Sequence, residues 1–409
     1  MDFGTSKITV LVGRRGINNS ICIDGLSKCE YDGYANGQWL SPSTLGEDIA
    51  RAISVARDAS RQKIEKLYIG VPGDFITCDL NHAMISLGKK RRIIEKDVET
   101  LYAQGNRYAD RPDVRVINIQ PVFYTLDNGP KLVAPVGMTA SQLGGCISYI
   151  QADRINFIEP VEAAVISAGV IGTEYVASPL AETLFLFDDY RRDNCVVLAD
   201  VGALGTSLTI ARGDGIVKQF YFSWGGDCIT YALVDALKIS WRAAEKLKRS
   251  VSLTLDTNYS IEENSIEEES PDGKHIVKND KGIIQTEYTG EIDREEYTFR
   301  VLDVNTYVCN EIGRFARYID KALKTCDYNY PDNIILSVTG GGLNIRGAVD
   351  YLSDILKRRV EFVKPSLPIL DDPSMSSVLG VMDMVLAEEE EFEGPAGRLR
   401  RWFANRINN

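Results

Sequence analysis

Short apolar runs bounded by glycine recur along the chain, and segments of helical period lie between them. Ile8–Val12 alternates as a strand and stops at Gly13, and Lys66–Val71 (KLYIGV) is an apolar strand ended by Pro72-Gly73. Val114–Leu126, Cys195–Ala199, Leu208–Ala211, Gln219–Trp224, Ile334–Val338 and Val360–Lys364 read as further strands. Three/four spacing predicts a long helix over Val301–Thr325, on Leu302, Val304 or Asn305, Val308, Ile312, Phe315, Ile319 and Leu323. Other helices are predicted from about Ser43 to Lys63 (Thr44 as N-cap, Glu47 three residues on) and over Ile94–Gln104, Phe157–Ser167 and Glu182–Asp188. Cys228–Leu237, Trp241–Ser250 (capped by Ser240), Ile345–Lys357 and a last helix from Ser376 through Leu386 complete the pattern. Strands alternating with helices predict an α/β fold.

The densest signal lies in Val196–Val217, VVLADVGALGTSLTIARGDGIV. An apolar run ends in Asp200, and a turn then carries Gly202, Gly205, Thr206 and Ser207. Glycines in such a turn let backbone N–H groups approach phosphate oxygens without Cβ atoms in the way. An aspartate at the strand end can hold a hydrated Mg²⁺ beside them. An ordinary hairpin carries the same glycine signals. The same pattern opens the chain, however, as Asp2-Phe3-Gly4-Thr5-Ser6-Lys7 before Ile8–Val12, which points to two related halves facing one nucleotide. A third turn, Thr339-Gly340-Gly341-Gly342-Leu343, follows the strand Ile334–Val338 and is predicted to open a helix.

Composition narrows the classes. With 409 residues, 44% hydrophobic and 25% charged, the chain has enough material for two domains with cores of their own. It contains no apolar run of about 18 residues and no signal peptide, so no transmembrane helix is expected. A net charge of −12 argues against a general nucleic-acid binder. Eight scattered cysteines without a C-x-x-C pair predict reduced structural thiols in a cytoplasmic protein. With only His82 and His275, zinc or histidine chemistry is not expected.

Three glycine turns in this order, each tied to an apolar strand, resemble the two phosphate loops and the adenosine loop of the actin/Hsp70/sugar-kinase superfamily. The GVPG turn at Gly70–Gly73 and the string PVGMTASQL at Pro135–Leu143 resemble the FtsA family, the membrane-tethered bacterial cell-division actins. That resemblance implies an actin-like (ribonuclease H-like) α/β fold with four subdomains and a nucleotide cleft between the halves. Subdomain IA would comprise 1–80 and 153–194, the family's extra subdomain IC 81–152, IIA 195–227 and 300–387, and IIB 228–299.

It further implies ATP with Mg²⁺, with Asp2 and Asp200 positioning the metal. Gly4, Thr5, Ser6, Lys7, Gly202, Gly205 and Thr206 would hold phosphates. Gly226 of the GGD turn, Glu245, Lys248, Gly340, Gly341, Gly342 and Asn344 would frame the nucleoside. Glu245 and Lys248 equally suit a surface ion pair at i, i+3. Thr206 falls one step later than in the commonest D-x-G-x-G-T form, and the half-strand before Asp2 is short or missing, which would weaken its sheet pairing. The implied partners are the FtsZ C-terminal peptide at IIB, further copies of the chain in a protofilament, and other division proteins of the membrane. The activity expected is at most slow ATP hydrolysis.

Two further charged stretches stand out. The run Lys89–Arg92 reads as a solvated turn or a partner contact, and Asp256–Thr298 as a small acid-rich β subdomain, partly mobile. Glu388–Glu391 and Glu393 predict a flexible acidic join at 388–395, ahead of an amphipathic helix at 396–409. In it Leu399, Trp402, Phe403 and Ile407 share one arc, Arg401 faces away, Arg398 and Arg400 flank the arc, and Arg406 lies near its end. Aromatic and aliphatic residues backed only by cations suit an anionic membrane surface, and the resemblance implies the cytoplasmic face of the membrane at the division site. A pilus-assembly actin (PilM-like) binding a cytoplasmic peptide, or a sugar-kinase-type phosphotransferase, shares the loops; the tail speaks against the kinase most of all.

Overall fold

The computed structural model describes residues 1–16, 20–106, 111–254, 266–269, 275–279, 282–284, 287–292, 295–367 and 370–393. Two five-stranded sheets built on one plan form its centre. In the first, Asp2–Phe3 sits between Lys66–Val71, to which it is parallel, and the antiparallel Lys7–Arg15; Gly172–Ala177 and Ile21–Glu30 form the edges. In the second, Val196–Val201 lies between the parallel strand Leu336–Thr339 and the antiparallel Thr206–Arg212, with Val360–Phe362 and Gly215–Phe222 outside. The repeat extends to register. Asp2 opposes Thr9 and Gly70, and Asp200 opposes Ser207 and Thr339.

The short strand Asp2–Phe3 is not weakly held. Phe3 is buried in a cluster with Trp39 and Phe157, both at 5.5 Å between ring centroids, and Trp39 stacks on Phe75 at 5.2 Å. The Trp39 indole donates to the Asn156 carbonyl at 2.7 Å. Large aromatic burial here replaces the anchoring that two residues of strand ladder lack. In the second half Trp224 stacks on Phe315 at 4.3 Å, fixing the helix Val301–Thr325 to its sheet.

Between the strand Lys66–Val71 and the helix Glu159–Ser167 the chain builds a separate sheet from Ile76–Arg92, Thr139–Asp153, Val114–Leu126 and Lys131–Leu132. The helix Glu95–Gly105 packs on it, around a core of Leu101, Leu143, Ile147 and Tyr149. Arg91 of the basic run makes paired 2.7 Å bonds to Asp97 at the start of that helix, while Lys89, Lys90 and Arg92 stay exposed. The acid-rich tract contributes the strands Ile266–Glu269, His275–Asn279, Gly282–Ile284, Glu287–Ile292 and Glu295–Arg300. All eight cysteines are free, and no helix among the described residues is long and apolar enough to cross a membrane.

Two helices cross behind the first sheet, Ser178–Leu186 and Ser376–Glu393. The second runs on as helix through the acidic residues to Glu393, where a flexible join was expected. The remainder of that join and the amphipathic segment 396–409 lie outside the described residues. Two boundaries also differ. Thr44 precedes Leu45–Ser60 without capping it, its hydroxyl donating back to Ser41 instead. The helix after the triple-glycine turn begins only at Ala348.

At the crossing, a Cβ on Gly380 would lie 2.6 Å from the Ala181 carbonyl oxygen and 2.7 Å from its carbon. Alanine in a helix interior normally gains about 1 kcal/mol over glycine. Here the contact is with backbone and cannot yield, so Gly380→Ala should destabilise by about 1–3 kcal/mol in urea denaturation; a gain in stability would contradict this packing.

Candidate functional site

The two aspartate-led turns are the same structure built twice. The Gly4 amide donates to the Lys7 carbonyl and the Gly202 amide to the Gly205 carbonyl, both at 2.9 Å. Position by position, Asp2-Phe3-Gly4-Thr5-Ser6-Lys7-Ile8-Thr9 therefore matches Asp200-Val201-Gly202-Ala203-Leu204-Gly205-Thr206-Ser207. This register corrects the role expected for Thr206. It is the counterpart of the buried strand residue Ile8, it is fully buried, and its hydroxyl donates to the Trp224 carbonyl at 2.7 Å. Gly205 likewise makes room within the protein, since a Cβ there would lie 1.9 Å from the Tyr221 hydroxyl.

Asp2 and Asp200 lie near one another where the two turns meet, with Lys7 beside both. Asp2 Oδ1 accepts from Ser178 Oγ at 2.7 Å and Ser377 Oγ at 2.9 Å, which lie in the first turns of the two crossing helices. Burial still raises its carboxyl pKa, against the pull of both serines and of Lys7. Asp200 is pushed up to about 7 by burial and by Asp2, with Lys7 opposing. Burial and Lys28 lower Lys7 in turn, while Asp372, Asp2 and Asp200 hold its proton; its Nζ donates to Ser374 Oγ at 3.0 Å.

Glu182, 2% exposed, is a third carboxyl in this region. It accepts from Ser376, whose hydroxyl also lies 3.3 Å from that of Thr339. Burial foremost, and then Asp200, holds Glu182 well above the usual carboxylate range. Its position as the one charge within SPLAETLFL was a usable sequence signal. Nothing in the sequence pairs Ser178 or Ser377 with Asp2.

The third turn joins the second backbone to backbone. Gly340 takes φ +85°, and a Cβ there would lie 2.3 Å from Asp200 Oδ1. Gly342 donates to Val201 O at 2.7 Å and Gly226 to Gly202 O at 2.9 Å, and a Cβ on Gly342 would meet the Gly202 carbonyl at 2.1 Å. Gly202, Gly226, Gly340 and Gly342 thus form one close-packed group, with Gly341 and Asn344 exposed beside it.

Glu245 and Lys248 are brought together on Trp241–Ser250, with Ser240 capping that helix through the Ala243 amide. Lys248 Nζ reaches Glu245 Oε2 at 2.6 Å, Thr230 Oγ1 at 2.8 Å and Gly226 O at 3.1 Å. Burial pushes the Glu245 carboxyl up, but Lys248, Thr230 and Arg249 together hold it below its ordinary value. All three ammonium protons of Lys248 are engaged, so the pair braces the Gly226 turn.

Comparison with known proteins adds the family. Residues 73–150 match the model for the SHS2 domain inserted in FtsA, and residues 197–380 match the model for cell division protein FtsA. The chain belongs to the FtsA family. The FtsA of Enterococcus faecalis is 23% identical over 384 residues, 94% of this chain and 82% of that protein. The FtsA of Streptococcus pneumoniae is 22% identical over 386 residues, covering 94% and 79%. Among solved structures, the PilM–PilN type IV pilus biogenesis complex aligns at TM-score 0.57 with 16% identity, over 94% of this chain and 97% of that one. MreB5 of Spiroplasma citri bound to ADP aligns at 0.50 with 11% identity, over 96% of each. These likenesses show the actin-like fold, which the doubled sheet plan shares.

The sign of the Glu182 contribution follows from its raised pKa. The folded state holds this proton more tightly than the unfolded chain, so stability falls as pH rises from the ordinary carboxylate range toward the folded value. Glu182→Gln, which keeps an acceptor for Ser376, should therefore show a Tm gain over wild type that grows between about pH 5 and pH 8. A difference that is flat with pH would rule out a proton held at this position.

Proposed function

We propose that this protein is a nucleotide-dependent cell-division scaffold, an actin-like member of the FtsA family that binds ATP with Mg²⁺ between its two sheets. The observation that carries this reading is the pair of equivalent aspartate-led turns set around one crevice with Lys7. Among the described residues, no group of three or more His, Cys, Asp or Glu side chains is arranged to ligate a metal directly. Asp2 and Asp200 instead suit an ion held through its water shell, and their raised pKa values mark a place where a cation would be welcome. Such an ion would neutralise charge on the phosphates. Ser6 and Lys7, on the accessible side of the first turn, are positioned for phosphate contacts, and Gly341 and Asn344 border the nucleoside end. The activity expected in this reading is at most slow ATP hydrolysis.

In this reading copies of the chain assemble into protofilaments on the cytoplasmic face of the membrane at the division site, alongside other membrane proteins of division. Residues 396–409 provide the attachment through Leu399, Trp402, Phe403 and Ile407, with Arg398, Arg401 and Arg406. Each arginine near an anionic surface adds about 1 kcal/mol, enough together for reversible binding.

The FtsZ C-terminal peptide would dock on the helices Gly226–Leu237 and Trp241–Ser250. These present an exposed aromatic pair, Tyr231 (63% exposed) and Trp241 (40%), in edge contact at 4.5 Å. Exposed aromatic anchors of this kind concentrate binding energy. A pilus-type reading rests on the likeness to the PilM–PilN complex, which is a likeness of fold alone.

The full chain should pellet with anionic vesicles, and a chain lacking residues 394–409 should remain in the supernatant; pelleting independent of those residues would refute the membrane reading. In calorimetry the FtsZ C-terminal peptide should bind, and Trp241→Ala should weaken it about tenfold. Binding of a pilus-component N-terminal peptide in its place would favour the pilus reading.

A further inference from the structure

The two turns match in backbone but not in what their amides meet. In the second, the consecutive amides of Ala203 and Leu204 both donate to Thr5 Oγ1, each at 3.0 Å. Two successive N–H groups converging on one oxygen form a nest, an arrangement suited to an anion. In the first, the corresponding amides of Thr5 and Ser6 have no acceptor among the described residues. Ala203 and Leu204 stand where the first turn has Thr5 and Ser6, so the second turn has no side-chain hydroxyl of its own and borrows one across the crevice.

Thr5 is held for this contact. It is 7% exposed, and Gly33, at φ +82°, packs so closely on it that a Cβ there would lie 2.0 Å from the Thr5 carbonyl oxygen. A Cβ on Gly202 would lie 2.9 Å from Thr5 Oγ1. The Thr5 hydroxyl proton has no acceptor among the described residues, so the oxygen serves there only as an acceptor.

We propose that Thr5 is a latch: its hydroxyl oxygen occupies the oxyanion position of the second turn, and a phosphate group must displace it to bind there. A charged phosphate oxygen accepts more strongly from amides than a neutral hydroxyl does, so the exchange runs toward the ligand. Thr5 thereby joins the two halves when no phosphate is bound and releases the second turn when one arrives. The identity of that phosphate as part of a nucleotide rests on the function proposed above; the latch does not.

The test uses the full chain with Thr5→Val, Thr5→Ala and Thr5→Ser. Without nucleotide, amide hydrogen exchange at Ala203 and Leu204 should rise about tenfold in the valine and alanine variants and stay near wild type in the serine variant. Unchanged exchange in both valine and alanine variants would overturn the latch. Calorimetry with Mg-ATP and with Mg-pyrophosphate should show Thr5→Val binding about three- to tenfold more tightly than wild type. Weaker binding would overturn displacement and make Thr5 a ligand of the phosphate. Tighter binding of pyrophosphate alone would keep the latch and remove the nucleotide, and if wild type binds neither ligand, the nucleotide reading fails while the exchange result still decides the latch.

Discussion

Asp2 and Asp200 end equivalent strands of two sheets, and the fold obliges these like charges to share one poorly solvated crevice. Burial disfavours both charged forms, and at Asp200 the charge of Asp2 adds to it. The protein offsets this locally: Ser178 and Ser377 donate to Asp2, and Lys7 supplies the nearby positive charge. Those serines lie in the first turns of the two crossing helices, so the same hydrogen bonds tie both helix starts to the Asp2 strand. The electrostatics of the crevice and the mechanical join of the halves therefore rest on one set of contacts.

Glycine makes the rest of the arrangement possible. The segments around Gly202, Gly226 and Gly340–Gly342 approach backbone to backbone, at distances where a side chain would meet a carbonyl oxygen. Lys248 fastens this group by holding the Gly226 carbonyl with Thr230 and Glu245. Lys248 and Glu245 thus act on the crevice through the turn that they brace. Close backbone packing of this kind is stiff, which suits an element with a few discrete arrangements better than one that deforms smoothly.

The exposed aromatic pair and the end of the last described helix lie outside this stiff centre. The exposed Tyr231–Trp241 pair lies on the helices Gly226–Leu237, which starts in the GGD turn, and Trp241–Ser250, and the helix Ser376–Glu393 starts beside the Asp2 carboxylate.

Local pattern alone determined much of this molecule. The strands Lys66–Val71 and Val114–Leu126 and the helix Val301–Thr325 were legible to the residue, because their apolar periods are long and their ends carry stop signals. The two Asp-x-Gly hairpins and the PVGMTASQL string were enough to point to the family. Tertiary structure decided what a one-dimensional pattern cannot hold. Thr206 reads as a turn hydroxyl but belongs to the strand, because register across the sheet, and not spacing from Asp200, sets which residues face the crevice. Glu182 and Ser376, 194 residues apart, meet only where two helices cross, and Ser178 reaches Asp2 from one of those helices. The Thr5 hydroxyl finds its partners in a turn far along the sequence, since hydrogen-bond partners are chosen by distance in space.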